Sequence, residues 1–184
     1  MAFKVIDRKL NGLILLEPDI FEDERGFFME SYRKNLFSEL GIDADFVQEN
    51  HSRSKKSVLR GMHFQWSPPQ GKLIRVTVGS AFVAEADIRK NSPTFGEYAS
   101  FELTAENKRL LWVPAGFANG FCVLSDFCEM QYKCTDYWNK TGEGSILWND
   151  KDVGIKWPIA EPILSEKDRN GMSLLEWKNS DFCI

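Results

Sequence analysis

The chain has 184 residues, 43% of them hydrophobic and 13% aromatic, and its formal net charge is -4 at pH 7. This length fits one compact domain over residues 1–184, and the hydrophobic and aromatic content excludes a disordered chain. Lysine and arginine are scattered along the sequence, so the chain has no electrostatic footprint for a phosphate backbone and nucleic acid is not an expected partner.

The N-terminal segment interrupts its apolar residues with Lys4, Asp7 and Arg8, so it lacks the apolar core of a secretory signal. No later apolar run approaches the length of a membrane span. We therefore expect a cytoplasmic protein without a membrane partner.

Runs rich in β-branched and aromatic residues recur along the chain, separated by turn residues such as Pro68-Pro69 and Gly79-Ser80. Strands are predicted at 13–17, 26–31, 57–65, 72–78, 81–88, 97–103, 109–113, 120–123 and 129–135. Short strands at this spacing predict an all-β sandwich or a closed barrel.

Helix is predicted only at 34–40, ended by Gly41, and at 165–170. In the second segment Ser165 and Asp168 have the spacing of a capping box. The C-terminal segment from about residue 171 has no clear pattern, and we expect it to pack on the barrel.

The four cysteines, Cys122, Cys128, Cys134 and Cys183, include no C-x-x-C pair. A chain of this length needs no disulfides to fold, so we expect free thiols. A zinc or iron site in a β-barrel usually recruits several histidines, and the chain has only two. We therefore predict no catalytic metal.

One of those two histidines, His63, lies in the run LRGMHFQ at residues 59–65. Imidazole is the side chain whose ordinary pKa lies nearest neutral pH, which makes His63 a candidate general base. A single histidine on a half-buried strand is more often a core residue with satisfied hydrogen bonds, and this run alone leaves both interpretations open.

Further segments form an ordered series with the run that contains His63. They are DERGFF (23–28), FVQEN (46–50), RGMHFQ (60–65), QGKLIRV (70–76), SPTFG (92–96), WVPAGF (112–117), YKCT (132–135), WND (148–150) and SEKD (165–168). In order and spacing, over roughly residues 12–170, the series resembles the dTDP-4-dehydrorhamnose 3,5-epimerase family.

The resemblance implies a cupin-type jelly roll with a few short helices. It also implies a homodimer in which an N-terminal segment is exchanged across the interface. The implied substrate is a nucleotide-diphosphate sugar, and neither a metal nor a nicotinamide is required, so no cofactor is expected.

The resemblance also assigns roles to four residues. His63 is the general base, Asp168 its carboxylate partner, Tyr132 the general acid, and Lys72 the neighbour of the sugar's keto oxygen. A 4-keto group acidifies the hydrogens at C3 and C5, so a base and an acid on opposite faces of the ring can invert either carbon through an enolate. Met singly, these residue types are usually structural or solvated.

For the rest of the substrate, the family positions that match are mostly polar or charged, and the arginines and lysine suit phosphate oxygens. They are Arg25, Glu30, Gln48, Asn50, Arg60, Glu143 and Lys167. Any one of them alone could be an ordinary surface residue.

The chain departs from the family at several positions. The family usually has Ala-His-Gly-Phe where Asn119 of this chain replaces the histidine, and an amide cannot carry a proton as imidazole does. Asn119 is either a tight-turn residue or a sign that a different sugar is handled or only one carbon inverted. Val83 and Glu85 replace an acid and an alanine of the family, and Trp138 with Gly142 replaces a tyrosine-rich loop.

The sequence therefore predicts a cofactor-independent isomerase that epimerises C3 and C5 of a sugar of the dTDP-4-dehydro-6-deoxy-D-glucose type, for rhamnose or another deoxysugar of a surface polysaccharide such as the O-antigen of lipopolysaccharide. One alternative is a single-centre epimerase that acts on a CDP-, GDP- or UDP-linked sugar. Another is a non-catalytic protein that binds sugar nucleotides.

Overall fold

The computed structural model describes residues 2–183. Its strands are β1 (Phe3–Lys9), β2 (Leu13–Pro18), β3 (Phe21–Asp23), β4 (Gly26–Phe28), β5 (Gln48–Lys55), β6 (Leu59–Gln65), β7 (Lys72–Val78), β8 (Ser80–Asp87), β9 (Tyr98–Thr104), β10 (Leu110–Val113), β11 (Phe117–Val123), β12 (Phe127–Cys134) and β13 (Glu143–Ser145). Its helices are α1 (Lys34–Glu39), α2 (Glu166–Arg169) and α3 (Leu174–Lys178).

Two antiparallel sheets face each other. The six-stranded sheet has the order β1-β2-β10-β7-β12-β5, and the five-stranded sheet has the order β13-β6-β11-β8-β9. Strands far apart in sequence are neighbours in both sheets, and one apolar cluster joins Ile74 and Val76 of the first sheet to Val83 and Phe121 of the second. This is the predicted jelly roll, and the all-β prediction is confirmed.

The interior between the sheets is apolar at one end and polar at the other. Along β7, Lys72 points to the same side as Ile74 and Val76, because alternate residues of a strand share a face. Along β8, Glu85 likewise shares the interior face with Ala81 and Val83. Charged side chains therefore enter the interior at one end of strands whose other residues build the core.

Several elements were not predicted. Strand β5 has the sequence QENHSRSK, which contains no apolar residue and so no hydrophobic period. Strands β1, β3 and β13 and helix α3 also lacked a recognised signal. The strand predicted at 26–31 was too long, because β4 ends at Phe28 in a separate two-stranded hairpin with β3.

The predicted helices are present, with α1 ending one residue before the predicted end and α2 within 165–170. The capping box is confirmed: the Ser165 hydroxyl accepts from the Asp168 backbone N–H, and the Asp168 carboxylate accepts from the Ser165 N–H. After residue 171, α3 places Trp177 at 1% exposure, where its indole N–H donates to the Ile88 carbonyl at 2.8 Å. This segment therefore contacts the end of the five-stranded sheet.

All four cysteines are free thiols, as predicted. In the part of the chain that the structure describes, no helix is both long and apolar enough to cross a membrane.

Candidate active site

His63 and Asp168 meet at the polar end of the interior. His63 lies on β6, and Asp168 is buried at 2% exposure in the first turn of α2. His63 Nε2 is 2.7 Å from Asp168 Oδ1, but it has no aligned hydrogen-bond partner, so in this conformation the contact is electrostatic rather than a straight hydrogen bond. Catalytic hydrogen bonds are often poorly aligned before substrate binds.

Three hydrogen bonds hold the Asp168 carboxylate, in addition to its contact with His63. The Ser165 hydroxyl donates to Oδ2 at 2.5 Å, the Ser165 N–H donates to the same oxygen at 3.3 Å, and the Gly61 N–H donates to Oδ1 at 3.1 Å. Burial alone would raise the pKa of Asp168, but the contact with His63 and the hydrogen bonds from Ser165 and Gly61 outweigh it and lower the pKa to about 2. The carboxylate is therefore charged at neutral pH where it contacts the His63 ring.

Gly61 is required where it stands. It has a φ of 145°, and a Cβ there would lie 2.5 Å from Gly120 Cα on the neighbouring strand. Only glycine allows this close approach of β6 to β11. The same backbone conformation directs the Gly61 N–H to Asp168.

The opposite sheet supplies Tyr132 and Lys72. Tyr132 is opposite Asn50 of β5 in the strand register and packs against the apolar core cluster, while Lys72 is opposite Cys134. The Lys72 ammonium lies 6.0 Å from the centroid of the Tyr132 ring. The two polar side chains thus face the interior from adjacent strands.

Burial sets the protonation of both groups. It raises the pKa of Tyr132, with a smaller opposing effect from the Asn50 hydrogen bond, so the phenol keeps its proton at neutral pH. It lowers the pKa of Lys72, and the charges of Glu85, Cys134 and Glu143 oppose that change. Lys72 as a whole residue is half-buried.

Asn119 lies between His63 and Glu85. In the strand register it is opposite His63 of β6 on one side and Glu85 of β8 on the other, and its Nδ2 donates to Glu85 Oε1 at 2.5 Å. Glu85 is fully buried, and its Oε2 has no hydrogen-bond partner among the described residues. Asn119 itself is half-buried.

The rim of the site carries the Glu143–Lys167 ion pair at 2.8 Å. Burial would raise the pKa of Glu143, but the hydrogen bonds from Lys167 and Trp138 outweigh it and lower the pKa. Trp138 is 58% exposed, and its backbone N–H donates to Gln48 Oε1 at 2.9 Å. An exposed indole therefore stands beside charged and amide groups at the rim.

The remaining predicted substrate residues have different surroundings. The Gln48 amide donates to Asn50 Oδ1 at 3.2 Å, so these two form one pair on β5. Arg60 donates to the Ser54 hydroxyl at 2.9 Å, and its charge lowers the pKa of Tyr132, against the larger effect of burial.

Arg25 and Glu30 are not brought to this chain's own site. Arg25 is exposed in the β3–β4 hairpin, where it forms an ion pair with Asp23. Glu30 pairs with Arg33 at 3.4 Å, in a segment whose neighbours Met29 and Ser31 line a surface cavity with Arg75 on the outer face of the six-stranded sheet.

Sequence reasoning missed two residues that shape the site. Gln65 is buried, and it accepts from the Asn139 N–H at 2.8 Å and donates to the Tyr137 carbonyl at 3.0 Å, so it anchors the loop that carries Trp138. Glu85 was noted only as a departure from the family pattern, although its place on the interior face of a strand was a signal. The other histidine, His51, is exposed and contacts Glu129 at 3.0 Å.

The chemistry that this arrangement allows is proton transfer on both sides of a ligand. A base with a carboxylate partner stands on one sheet, and a phenol and an ammonium stand on the other. Within residues 2–183, no three His, Cys, Asp or Glu side chains are grouped so as to hold a metal ion.

Comparison with known proteins agrees with this geometry. A family model described as dTDP-4-dehydrorhamnose 3,5-epimerase matches residues 7–176. The chain belongs to this family. Its resemblance to the family, inferred above from the motif series, is thereby confirmed.

Curated relatives and solved structures support the assignment. The dTDP-4-dehydrorhamnose 3,5-epimerase of Salmonella typhimurium is 54% identical over 167 residues, which are 89% of this chain and 91% of that protein. The protein of the same name from Shigella flexneri is 51% identical over 174 residues, 94% of this chain and 96% of its own. A crystal structure of dTDP-6-deoxy-D-glucose-3,5-epimerase from Legionella pneumophila with dTDP-4-keto-L-rhamnose has a TM-score of 0.91 at 45% identity and covers 95% of this chain and 94% of that one.

Proposed function

We propose that this protein epimerises C3 and C5 of a dTDP-linked 4-keto-6-deoxyhexose without a cofactor. The observation that carries the proposal is the buried Asp168 carboxylate, 2.7 Å from His63, on the opposite side of the interior from Tyr132 and Lys72. A general base, a protonated general acid and a cation on two sheets that face each other are the groups that an enolate mechanism requires.

In this mechanism, His63 takes the proton from C3 or C5, and the C–H electron pair forms a C=C bond while the carbonyl pair moves onto the 4-keto oxygen. The Lys72 ammonium stabilises that oxygen as negative charge develops. Tyr132 then donates its proton to the same carbon from the other face, and the enolate collapses to the ketone. The proton on His63 returns through solvent to the phenolate, so the net result is inversion of one carbon.

The names of the relatives and the chemistry of the rim support dTDP as the carrier. The Legionella pneumophila structure holds dTDP-4-keto-L-rhamnose. In this chain the exposed indole of Trp138 offers a face on which a nucleobase can stack, and Lys167 and Arg60 offer cations for the diphosphate.

The proposal includes a homodimer in which the β3–β4 hairpin of one protomer completes the partner's site. Phe21, Phe27 and Phe28 of this hairpin are 51%, 59% and 60% exposed, which is unusual for three phenylalanines in so short a segment. Arg25, at the tip of the same hairpin, lies outside its own protomer's site.

Subunit complementation tests the dimer. Arg25→Ala and His63→Asn should each be nearly inactive, but mixed dimers contain one site with both native residues. Mixing the unfolded variants in equal amounts and refolding them together should restore about a quarter of the wild-type activity. If the refolded mixture showed only the average of the residual activities of the two variants, the site would not be shared between protomers. Light scattering gives the oligomeric state independently.

The reaction is tested by product analysis. The purified protein is incubated with dTDP-4-keto-6-deoxyglucose, and proton NMR coupling constants report the configuration at C3 and C5. The proposal predicts dTDP-4-keto-rhamnose, with slower turnover of the CDP-, GDP- and UDP-linked sugars and none by His63→Asn. A product inverted at one carbon would indicate a single-centre epimerase, and Asn119→His would then be expected to change the product. If the wild type bound these sugars without turning them over, the result would favour a non-catalytic protein that binds sugar nucleotides.

A place in the biosynthesis of rhamnose for a surface polysaccharide follows from this substrate. The cytoplasmic location stays a prediction from the N-terminal sequence.

A further inference from the structure

The Glu85 carboxyl is the least expected group in the barrel. It has no solvent exposure, its neighbour along the interior face of β8 is Val83, and its partner across the sheet is Ala99. Burying a carboxyl in such surroundings is costly unless its oxygens are paired, and here only Oε1 has a partner. A buried polar group that is only partly satisfied, two strands from the candidate base His63, is a candidate for a functional role.

The strand register places Glu85 next to a side chain that the substrate can reach. Neighbouring strands lie about 4.8 Å apart, so His63, Asn119 and Glu85 form one row across the five-stranded sheet. Glu85 is closed to solvent, whereas Asn119 is partly open. A sugar placed over His63 therefore lies against Asn119, with Glu85 beyond it.

The hydrogen bond between them decides which way the amide faces. Asn119 Nδ2 donates one of its two N–H groups to Glu85 Oε1 at 2.5 Å, which turns the nitrogen toward the buried acid. The oxygen of the amide then points away from Glu85 and can accept a hydrogen bond from a ligand, where an imidazolium would donate one.

We infer that Glu85 is a positioning residue that holds the Asn119 amide so that its Oδ1 accepts a hydrogen bond from a hydroxyl of the sugar beside His63. This inference rests on the proposed function. It makes Asn119 a specificity-determining contact and selects sugars that keep a hydroxyl on the carbons next to the reacting centre. No bond to Glu85 forms or breaks during the reaction.

The protonation of Glu85 fits this role. Burial raises the pKa of Glu85 well above its usual value. The Asn119 hydrogen bond and the Lys72 charge lower the pKa, but by less than burial raises it. Glu85 Oε1 accepts from Asn119, and the amide of glutamine has the same shape and the same acceptor. Glu85→Gln should therefore preserve the contact, and Glu85→Ala should release the Asn119 amide.

The experiment compares three sugars: dTDP-4-keto-6-deoxyglucose and its analogues that lack the hydroxyl at C2 or at C3. The wild type should prefer the parent sugar over at least one analogue by tenfold or more in kcat/KM. Glu85→Ala should lose about tenfold to a hundredfold on the parent sugar, mainly in KM, and should no longer discriminate. Glu85→Gln should keep most of the activity on the parent sugar and most of the discrimination between the sugars.

The controls separate positioning from folding. Val83→Ala changes the same strand face and should keep the wild-type preference, and thermal unfolding checks that every variant is folded. Asn119→Ala should match Glu85→Ala, and the double variant should be no worse than either alone, because both changes remove one contact.

Two outcomes overturn the inference and they are distinguishable. If the wild type is active and Glu85→Ala shows the same preference among the sugars, or if its effect adds fully to that of Asn119→Ala, the inference fails and the proposed function stands. If the wild type turns over none of the sugars, the proposed function fails and the inference fails with it.

Discussion

Replacing Asp168 by asparagine removes the buried negative charge in contact with His63. The carboxylate contacts His63 at 2.7 Å through Oδ1, and the Ser165 hydroxyl donates to Oδ2 at 2.5 Å. An asparagine has only one oxygen, so either the Gly61 N–H or the Ser165 hydroxyl would face an amide N–H instead of an acceptor. The variant keeps the shape of the side chain and removes its charge.

The pKa of Asp168 gives the size of the effect on stability. The folded protein holds it at about 2, against an ordinary value of 3.8. Because each tenfold change in an acid constant is about 1.4 kcal/mol, the charged carboxylate contributes about 2 kcal/mol to the free energy of unfolding. The folded pKa is the lower one, so this contribution is complete above pH 3.8 and is lost as the pH falls toward about 2.

The effect on activity should be larger. Without the carboxylate, the imidazolium that His63 becomes when it takes the substrate proton loses the negative charge in contact with it. By comparison with the loss of the aspartate in serine-protease triads, kcat should fall by about a thousandfold to ten-thousandfold. KM should change little, because Asp168 is too buried to contact the sugar.

Urea unfolding at pH 7 and NMR-detected turnover measure the two effects. Ser165→Ala is the matched control, because it removes a donor to the same carboxylate and the helix cap but leaves the charge beside His63. It should cost about 1 kcal/mol of stability and less than about tenfold in kcat. If Asp168→Asn kept kcat within tenfold of the wild type, or if Ser165→Ala lost as much activity, the pairing of His63 with Asp168 would not explain catalysis.

Three further predictions concern the other parts of the site. Tyr132→Phe removes the phenol proton, so exchange of the C3 and C5 protons with solvent should continue, while formation of inverted product, followed by NMR, should fall at least about a hundredfold. If exchange and product formation fell equally, Tyr132 would not be the general acid. Lys72→Met removes the cation from the enolate oxygen and should lower kcat by about a hundredfold to a thousandfold with a smaller change in KM, and a change confined to KM would assign Lys72 to binding. Dialysis against EDTA should leave kcat unchanged, and activity restored only by added metal would refute the metal-free mechanism.

The core strands could be predicted from the sequence, because β7 and β8 are rich in apolar residues and β12 has them at every second position. Strand β5 could not, because it presents polar side chains to both the cavity and the solvent and has no apolar stripe. Helix α3 could not be predicted either, because it is short and contributes only Leu174 and Trp177 to the core.

The residues of the site also differ in how far the sequence alone could identify them. His63 was recognisable from its chemistry, whereas its partner Asp168 lies in a helix far along the chain and could be assigned only through the family resemblance. Glu85 could be placed on the interior face by alternation, but its hydrogen bond to Asn119 depends on the β8–β11 register, which the sequence does not specify. The role proposed for Arg25 depends on a second chain, so the pattern of a single chain could not place it in a site.

The central claim is that His63 removes a carbon-bound proton from the sugar. The most direct test is to follow the C3 and C5 proton signals of dTDP-4-keto-6-deoxyglucose in heavy water with the wild type and with His63→Asn, after showing that both bind dTDP equally. The account predicts loss of both signals with the wild type and neither with the variant. Exchange by His63→Asn at the wild-type rate, or product that carries no deuterium, would contradict it.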